Sequence, residues 1–183
     1  MAFDSRLRRL VCLSTALFAG AAFADNGSAL TIRARLSGYQ EVPVVSTGAN
    51  GSFKGRIAKT EDSIEYEFAY SGLQGTVTQA HIHLGQRGVN GGIMVWLCQS
   101  ATNPAPAAVA LTVPQCASPE FASSGVITAA SIVGPGGTQQ LGAGEMAELI
   151  AALRAGVAYA NVHTTLSPGG EIRGQIDNDQ HRH

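Results

Sequence analysis

The stretch Ile64-Glu65-Tyr66-Glu67-Phe68-Ala69-Tyr70 decides the fold class. Ile64, Tyr66, Phe68 and Tyr70 stand at every second position with Glu65 and Glu67 between them. Strand side chains point alternately to opposite faces, so this spacing predicts a β-strand with one buried and one wet face. Working outward, Leu30-Thr31-Ile32-Arg33-Ala34-Arg35-Leu36 has the same period and Gly38 ends it. Residues 52–58 put Phe53 and Ile57 on one face. Further strands are expected at 76–84, 93–98, 125–132, 157–164 and 171–176, the last two joined by the turn Ser167-Pro168-Gly169-Gly170. Only residues 145–155 have helical spacing, through Met146, Leu149, Ile150 and Leu153, with Gly156 as the stop. Seven or eight short strands and one late helix predict an all-β fold, an antiparallel Greek-key sandwich or barrel with the helix as crossover or plug.

The 183 residues are 45% apolar and 14% charged, enough for one ordinary core. A formal net charge of −1 and no Lys/Arg cluster exclude a strongly basic nucleic-acid binder. Residues 1–24 read as a signal peptide: Arg6, Arg8 and Arg9, then an apolar run, then the cleavage site Ala22-Phe23-Ala24. That run is too short for a membrane span, and no later segment is longer. The expected organisation is leader 1–24, one domain at 25–176 and a mobile polar tail at 177–183, in a periplasmic or secreted protein. Export leaves Cys98 and Cys116 as an even pair in an oxidising compartment, where a disulfide is expected across a proline-rich loop. Metal ligation by both cysteines is the competing reading, against which stands the missing C-x-x-C spacing.

Histidine placement carries the chemistry. His81 and His83 are one residue apart in an expected strand, so both project from one face. His163 lies in another expected strand and shares its face with Tyr159 and Asn161. Should those strands adjoin or face one another, three imidazoles converge on one ion, a set that suits zinc, copper, iron or nickel and leaves at least one position open. The competing reading is a polar pair on a half-wet face. Asn161 is placed to hold an imidazole tautomer or a bound water. Glu171, Arg173 and Gln175 share one face of the following strand; Arg173 reads either as a cation drawing a small anion to the metal or as half of a surface ion pair with Glu171. The glycine-rich stretch after His83 reads as a connection that lets backbone pass close to the histidine face. His181 and His183 repeat the H-x-H pattern in the tail, where ordering entropy opposes a defined site. No G-x-S-x-G, Walker loop or H-E-x-x-H is present.

Three segments in order resemble the CHRD domain family over roughly residues 30–176: Leu36-Ser37-Gly38-Tyr39-Gln40-Glu41-Val42-Pro43, Ala80-His81-Ile82-His83-Leu84-Gly85, and Asn161-Val162-His163-Thr164 followed by Pro168-Gly169-Gly170-Glu171-Ile172-Arg173-Gly174-Gln175-Ile176. A looser similarity links the site to copper-zinc superoxide dismutase, also a Greek-key barrel with a disulfide. That resemblance implies His81, His83 and His163 as copper ligands, Arg173 as the residue guiding superoxide, and no zinc subsite, since a bridging histidine and a His/Asp-rich loop are missing. Two rival functions follow. One is a copper centre that dismutates superoxide or merely carries copper; the other is a binding module that meets a protein partner through the Cys98–Cys116 loop.

Overall fold

The computed structural model describes residues 30–178. The leader at 1–24 and both tail histidines lie outside the described residues. The alternating segments form an antiparallel meander of β1 (Thr31–Ser37), β2 (Asn50–Ile57) and β3 (Ser63–Ser71). Its register sets Ala34 opposite Phe53 and Phe53 opposite Phe68 on the inner face, and Arg33, Lys54 and Glu67 in one row on the outer face. Gly55 sits where a Cβ would meet Ile32 and Ile64 at 2.9 to 3.2 Å, so the missing side chain lets two large residues pack across the strand.

The remaining strands are β4 (Val77–Leu84), β5 (Ile93–Cys98), β6 (Phe121–Thr128), β7 (Ala158–Thr164), β8 (Ile172–Gln175) and the two-residue β9 (Asp177–Asn178). They join in the order β5-β4-β7-β8-β1-β2-β3-β6, with β9 also on β1. The bridge between Val95 and Ile132, with Val133 N–H donating to Met94 O at 2.9 Å, brings the two ends together into a nearly closed barrel. β4, β5 and β6 follow one another around it, and β7 returns beside β4, which is the Greek-key order. The return is made through α1 (Met146–Arg154), whose Met146, Leu149, Ile150 and Leu153 join the barrel's apolar core. The Glu145 carboxylate accepts the Gly142 N–H at 2.6 Å at the start of the helix, and Gly156 ends it at φ +68°.

Two expectations need correction. β6 begins at Phe121 and stops at Thr128, and Ala129–Ser131 forms a 3-10 turn, so the strand runs four residues earlier than the expected 125–132. Gly125 is a strand interior and not a boundary: it pairs with Tyr66, whose ring packs within 3.0 to 3.2 Å of where a Cβ would stand. Asp177 and Asn178, read as the start of a mobile tail, pair with Arg33 and Ile32. Asn178 Nδ2 also donates to Arg154 O at 2.9 Å, which ties the sheet to the end of the helix. Cys98 and Cys116 form the expected disulfide, with Cα atoms 5.1 Å apart.

Candidate metal centre

β4 lies antiparallel to β7, with His81 opposite Asn161, His83 opposite Tyr159 and Gln79 opposite His163. The intervening Ala80, Ile82, Ala160 and Val162 fill the apolar core. The three histidines therefore project from the outer face of the barrel, and the sheet register alone brings them together. His81 Nδ1 stands 3.3 Å from His163 Nε2, and one ring nitrogen from each of the three lies within 4.8 Å of the others. Although on the outer face, they are covered: His81 is 0% exposed, His83 7% and His163 8%.

The cover comes from two connections. His83 Nδ1–H donates to Gly91 O at 2.9 Å in the glycine-rich loop, and His163 Nδ1–H donates to Pro168 O at 2.9 Å in the turn after β7. These bonds assign the tautomers of both rings and leave each Nε2 a lone pair facing the trio. A Cβ on Gly91 would lie 1.6 Å from Leu84 O, so only glycine lets that carbonyl come so close to the ring. The Tyr159 ring stacks on His83 at 4.8 Å and 3°, and its hydroxyl accepts the Gly91 N–H at 3.2 Å. Trp96 stands edge-on to His81 at 4.3 Å.

Arg173 is 1% exposed and its guanidinium lies 3.4 Å from the centre of the Tyr159 ring. It donates to Asn90 Oδ1, Gln86 O and Val89 O at 2.9 to 3.1 Å, three partners in the glycine-rich loop. Glu171, also 1% exposed, accepts from Thr47, Gln74 and Thr164 at 2.8 to 3.1 Å. The surface ion pair of the sequence reading is thus replaced by two buried anchors holding different loops, because covering connections bury the outer face of β8. Glu41 from the opening motif, which the sequence analysis did not place at a site, is 6% exposed and packs its carboxylate where a Gly170 Cβ would stand. Trp96 was missed as well, whereas the glycine-rich stretch does bring its backbone against the histidine face, as expected, through Gly91 O. The lone tryptophan's alternate position in β5 was the one available sign.

Burial sets the charge states. It holds all three imidazoles below their usual range: His83 is brought down to about 4 despite its bond to Gly91 O, and repulsion from His163 and His83 adds to the effect at His81. The trio is therefore neutral at physiological pH, the form that ligates a metal. Burial raises Glu41 to about 7, against the pull of Val42's backbone and the Arg173 charge.

These residues fit a metal ion by their own geometry. His83 Nε2 and Asn161 Oδ1 are buried without a hydrogen-bond partner, a cost that a bound ion and its water would remove, whereas the His81 nitrogen beside His163 is Nδ1 and its orphaned Nε2 lies on the other side of the ring. Two nitrogens bound to one ion at 2.0 to 2.1 Å and tetrahedral angles stand about 3.3 Å apart, the spacing of the His81–His163 pair. At the same angles the widest spacing in the trio, up to 4.8 Å, must close by more than about 1 Å, a movement of the rings on binding.

Fold and site together define a Greek-key antiparallel barrel carrying a buried three-histidine group able to hold an ion. The CHRD domain family model matches residues 32–176, and the chain belongs to that family. No curated protein and no solved structure matches it.

Proposed function

We propose that this protein is exported and binds one copper ion through His81, His83 and His163. The observation that carries the reading is three neutral, buried imidazoles that bring one ring nitrogen each within 4.8 Å of the others. Three nitrogen donors accept zinc as well, and copper is preferred by the general order of affinities. Copper bound there would supply one-electron redox chemistry. The residues around it have separable tasks: Gly91 O and Pro168 O fix two imidazole tautomers, Tyr159 and Trp96 exclude water from the rings, and Asn161 Oδ1 is placed to accept from a bound water. The disulfide supports an extracytoplasmic location.

Carriage of copper is favoured over turnover because Arg173, the residue assigned to draw superoxide, has its guanidinium engaged by the loop. Superoxide dismutation is the second reading, supported by the arrangement of a strand His-x-His beside a late histidine. Trp96 is the chain's one tryptophan and gives the test. Titration of metal-free protein with Cu²⁺ should quench its fluorescence and saturate at one equivalent, whereas zinc at the same occupancy leaves most of the emission. His81→Ala and His163→Ala should each abolish saturable quenching; quenching that survives either change defeats the site. A dismutase assay on the copper-loaded protein separates the readings, since turnover above that of free copper overturns pure carriage.

A further inference from the structure

β6 ends the sheet: it pairs with β3 alone, and among the described residues no strand lies on its other side. Which of its groups face outward follows from the neighbouring ladder. Ala58 N–H donates to Ser63 O at 2.9 Å, so Ser63, and with it every second residue of β3 up to Ser71, turns its main chain toward β2. Ile64, Tyr66, Phe68 and Tyr70 turn theirs to β6 and bond Ile127, Gly125, Ser123 and Phe121. The N–H and C=O of Ala122, Ser124 and Val126 are left pointing away from the sheet. Thr128 fits the same alternation, since its N–H donates to Ser131 Oγ at 3.2 Å and not to β3. Among the described residues no hydrogen bond reaches the six main-chain groups of Ala122, Ser124 and Val126.

Proteins blunt such an edge with a charge, a proline, a bulge or a cover, because unpaired strand groups recruit other strands. β6, Phe-Ala-Ser-Ser-Gly-Val-Ile-Thr, has neither charge nor proline, and its pairing with β3 runs through eight residues without a shift of register. Residues 121–144 contain no Asp, Glu, Lys or Arg. The free groups are also complementary to themselves. A two-fold axis at Ser124 sets Ser124 opposite its own copy and Ala122 opposite the copy's Val126, and all six groups of each chain are then used in about six bonds. The outer-face side chains at these positions are small and exposed, and Val126, 55% exposed, lies over the copy's Ala122 in that pairing. Glu67, which flanks Ser124 on β3, stands three strand spacings from its own copy, about 14 Å and beyond the screening length in physiological salt. Glu65, which flanks Val126, is already paired with Arg56 at 2.6 Å.

We infer that two copies of this chain associate through β6, antiparallel about a two-fold axis at Ser124, so that their sheets become continuous. One strand pair is a small seam, so the dimer is weak, half-formed at about 10 to 100 μM. Sedimentation velocity of the purified protein over that range, with a chelator present so that no metal bridges the copies, should show the monomer giving way to the dimer. Ser124→Lys is the informative variant: within one chain the lysine meets Glu67 across the strand pair, whereas in the dimer it meets its own copy. It should weaken association by about tenfold or more with the thermal unfolding midpoint in place, and an equimolar mixture with Ser124→Glu should associate again. In the unmodified protein, amide exchange at Ala122, Ser124 and Val126 should slow as concentration rises, while Phe121, Ser123 and Gly125 are protected throughout. A chain that stays monomeric to about 1 mM overturns the inference and leaves the edge to a strand of another protein. A dimer indifferent to Ser124→Lys, or one whose exchange at those three amides does not change with concentration, overturns it too, because its interface lies elsewhere.

Discussion

Arg173 shows how burial can replace the role that residue type suggests. A cation in the strand after a metal-ligand strand reads as an anion guide, but this guanidinium spends its donors on Gln86, Val89 and Asn90. It therefore acts on the site through the loop that carries Gly91 O, the partner of His83. Arg173→Met should lower copper affinity by about 10- to 100-fold, the usual cost of losing a group that orients a ligand, and Arg173→Lys should not restore it, since an ammonium cannot reproduce the planar fork. Competition with a chelator measures the affinity, and the copper EPR spectrum should shift as His83 loosens. Unchanged affinity with loss of superoxide reactivity would instead return Arg173 to the anion-guiding role. The three histidines were legible because the period of a strand fixes the face of His-x-His regardless of tertiary context. The groups that orient them were legible only in part: the run of glycines announced a close backbone approach, which Gly91 O makes, but a carbonyl such as Pro168 O leaves no residue-type signature.

The elements differ in how plainly their sequences announce them. β3 alternates because one of its faces meets water, whereas β7 is buried at all seven positions and β4 at five of eight, so periodicity does not say which of their faces is the core. The covering loops cause this, and the sequence gives no register between a loop and a sheet. The bounds of β6 differ for another reason: Gly125 is normally a strand breaker, but here the Tyr66 ring packs closely over it. The glycine-rich loop yields a prediction at this scale. Gly91→Ala forces a Cβ into Leu84 O, so the loop must lift, Gly91 O leaves His83, and copper affinity should fall by at least about tenfold. Amide exchange across residues 85–92 should quicken in the same variant, and an unchanged exchange pattern would contradict the lid role. The Cys98–Cys116 loop is a second structural unit. Gln99 donates to Ala110 O and Val113 O and accepts from Ala105 N–H, and Ala105 and Val109 are buried. With that internal packing the loop persists without its bond, and Cys98→Ser/Cys116→Ser should cost about 3 kcal/mol, the loop-closure value for this span, while copper binding survives. Denaturant titration measures the first quantity and Trp96 quenching the second.

For the molecule as a whole, the Greek-key return of β7 beside β4 concentrates buried titratable groups on one covered face, and stability should carry their sign. Stability rises with pH wherever the unfolded chain binds more protons than the folded one. The three imidazoles are depressed on folding, His83 from 6.5 to about 4, so as pH falls below 6.5 the unfolded chain takes up protons that the folded chain refuses. Metal-free protein should therefore lose stability steeply as pH drops from 6.5 toward 4. Glu41 acts the other way: its folded value of about 7 lies above its ordinary 4.5, so its contribution is full below 4.5 and is lost as pH rises through 7. Three groups oppose one, and the net slope through this window should follow the histidines. Glu41→Gln removes the opposing group while keeping the shape that rests against Gly170. Relative to the parent protein it should be about 1 to 3 kcal/mol more stable at pH 8, with the gain shrinking to nothing below pH 4.5. Denaturant titrations of both proteins with a chelator present, repeated from pH 4 to 8, test this directly. A gain that does not vary with pH would mean that Glu41 is not desolvated on folding, and the cover over this face would then be open to water.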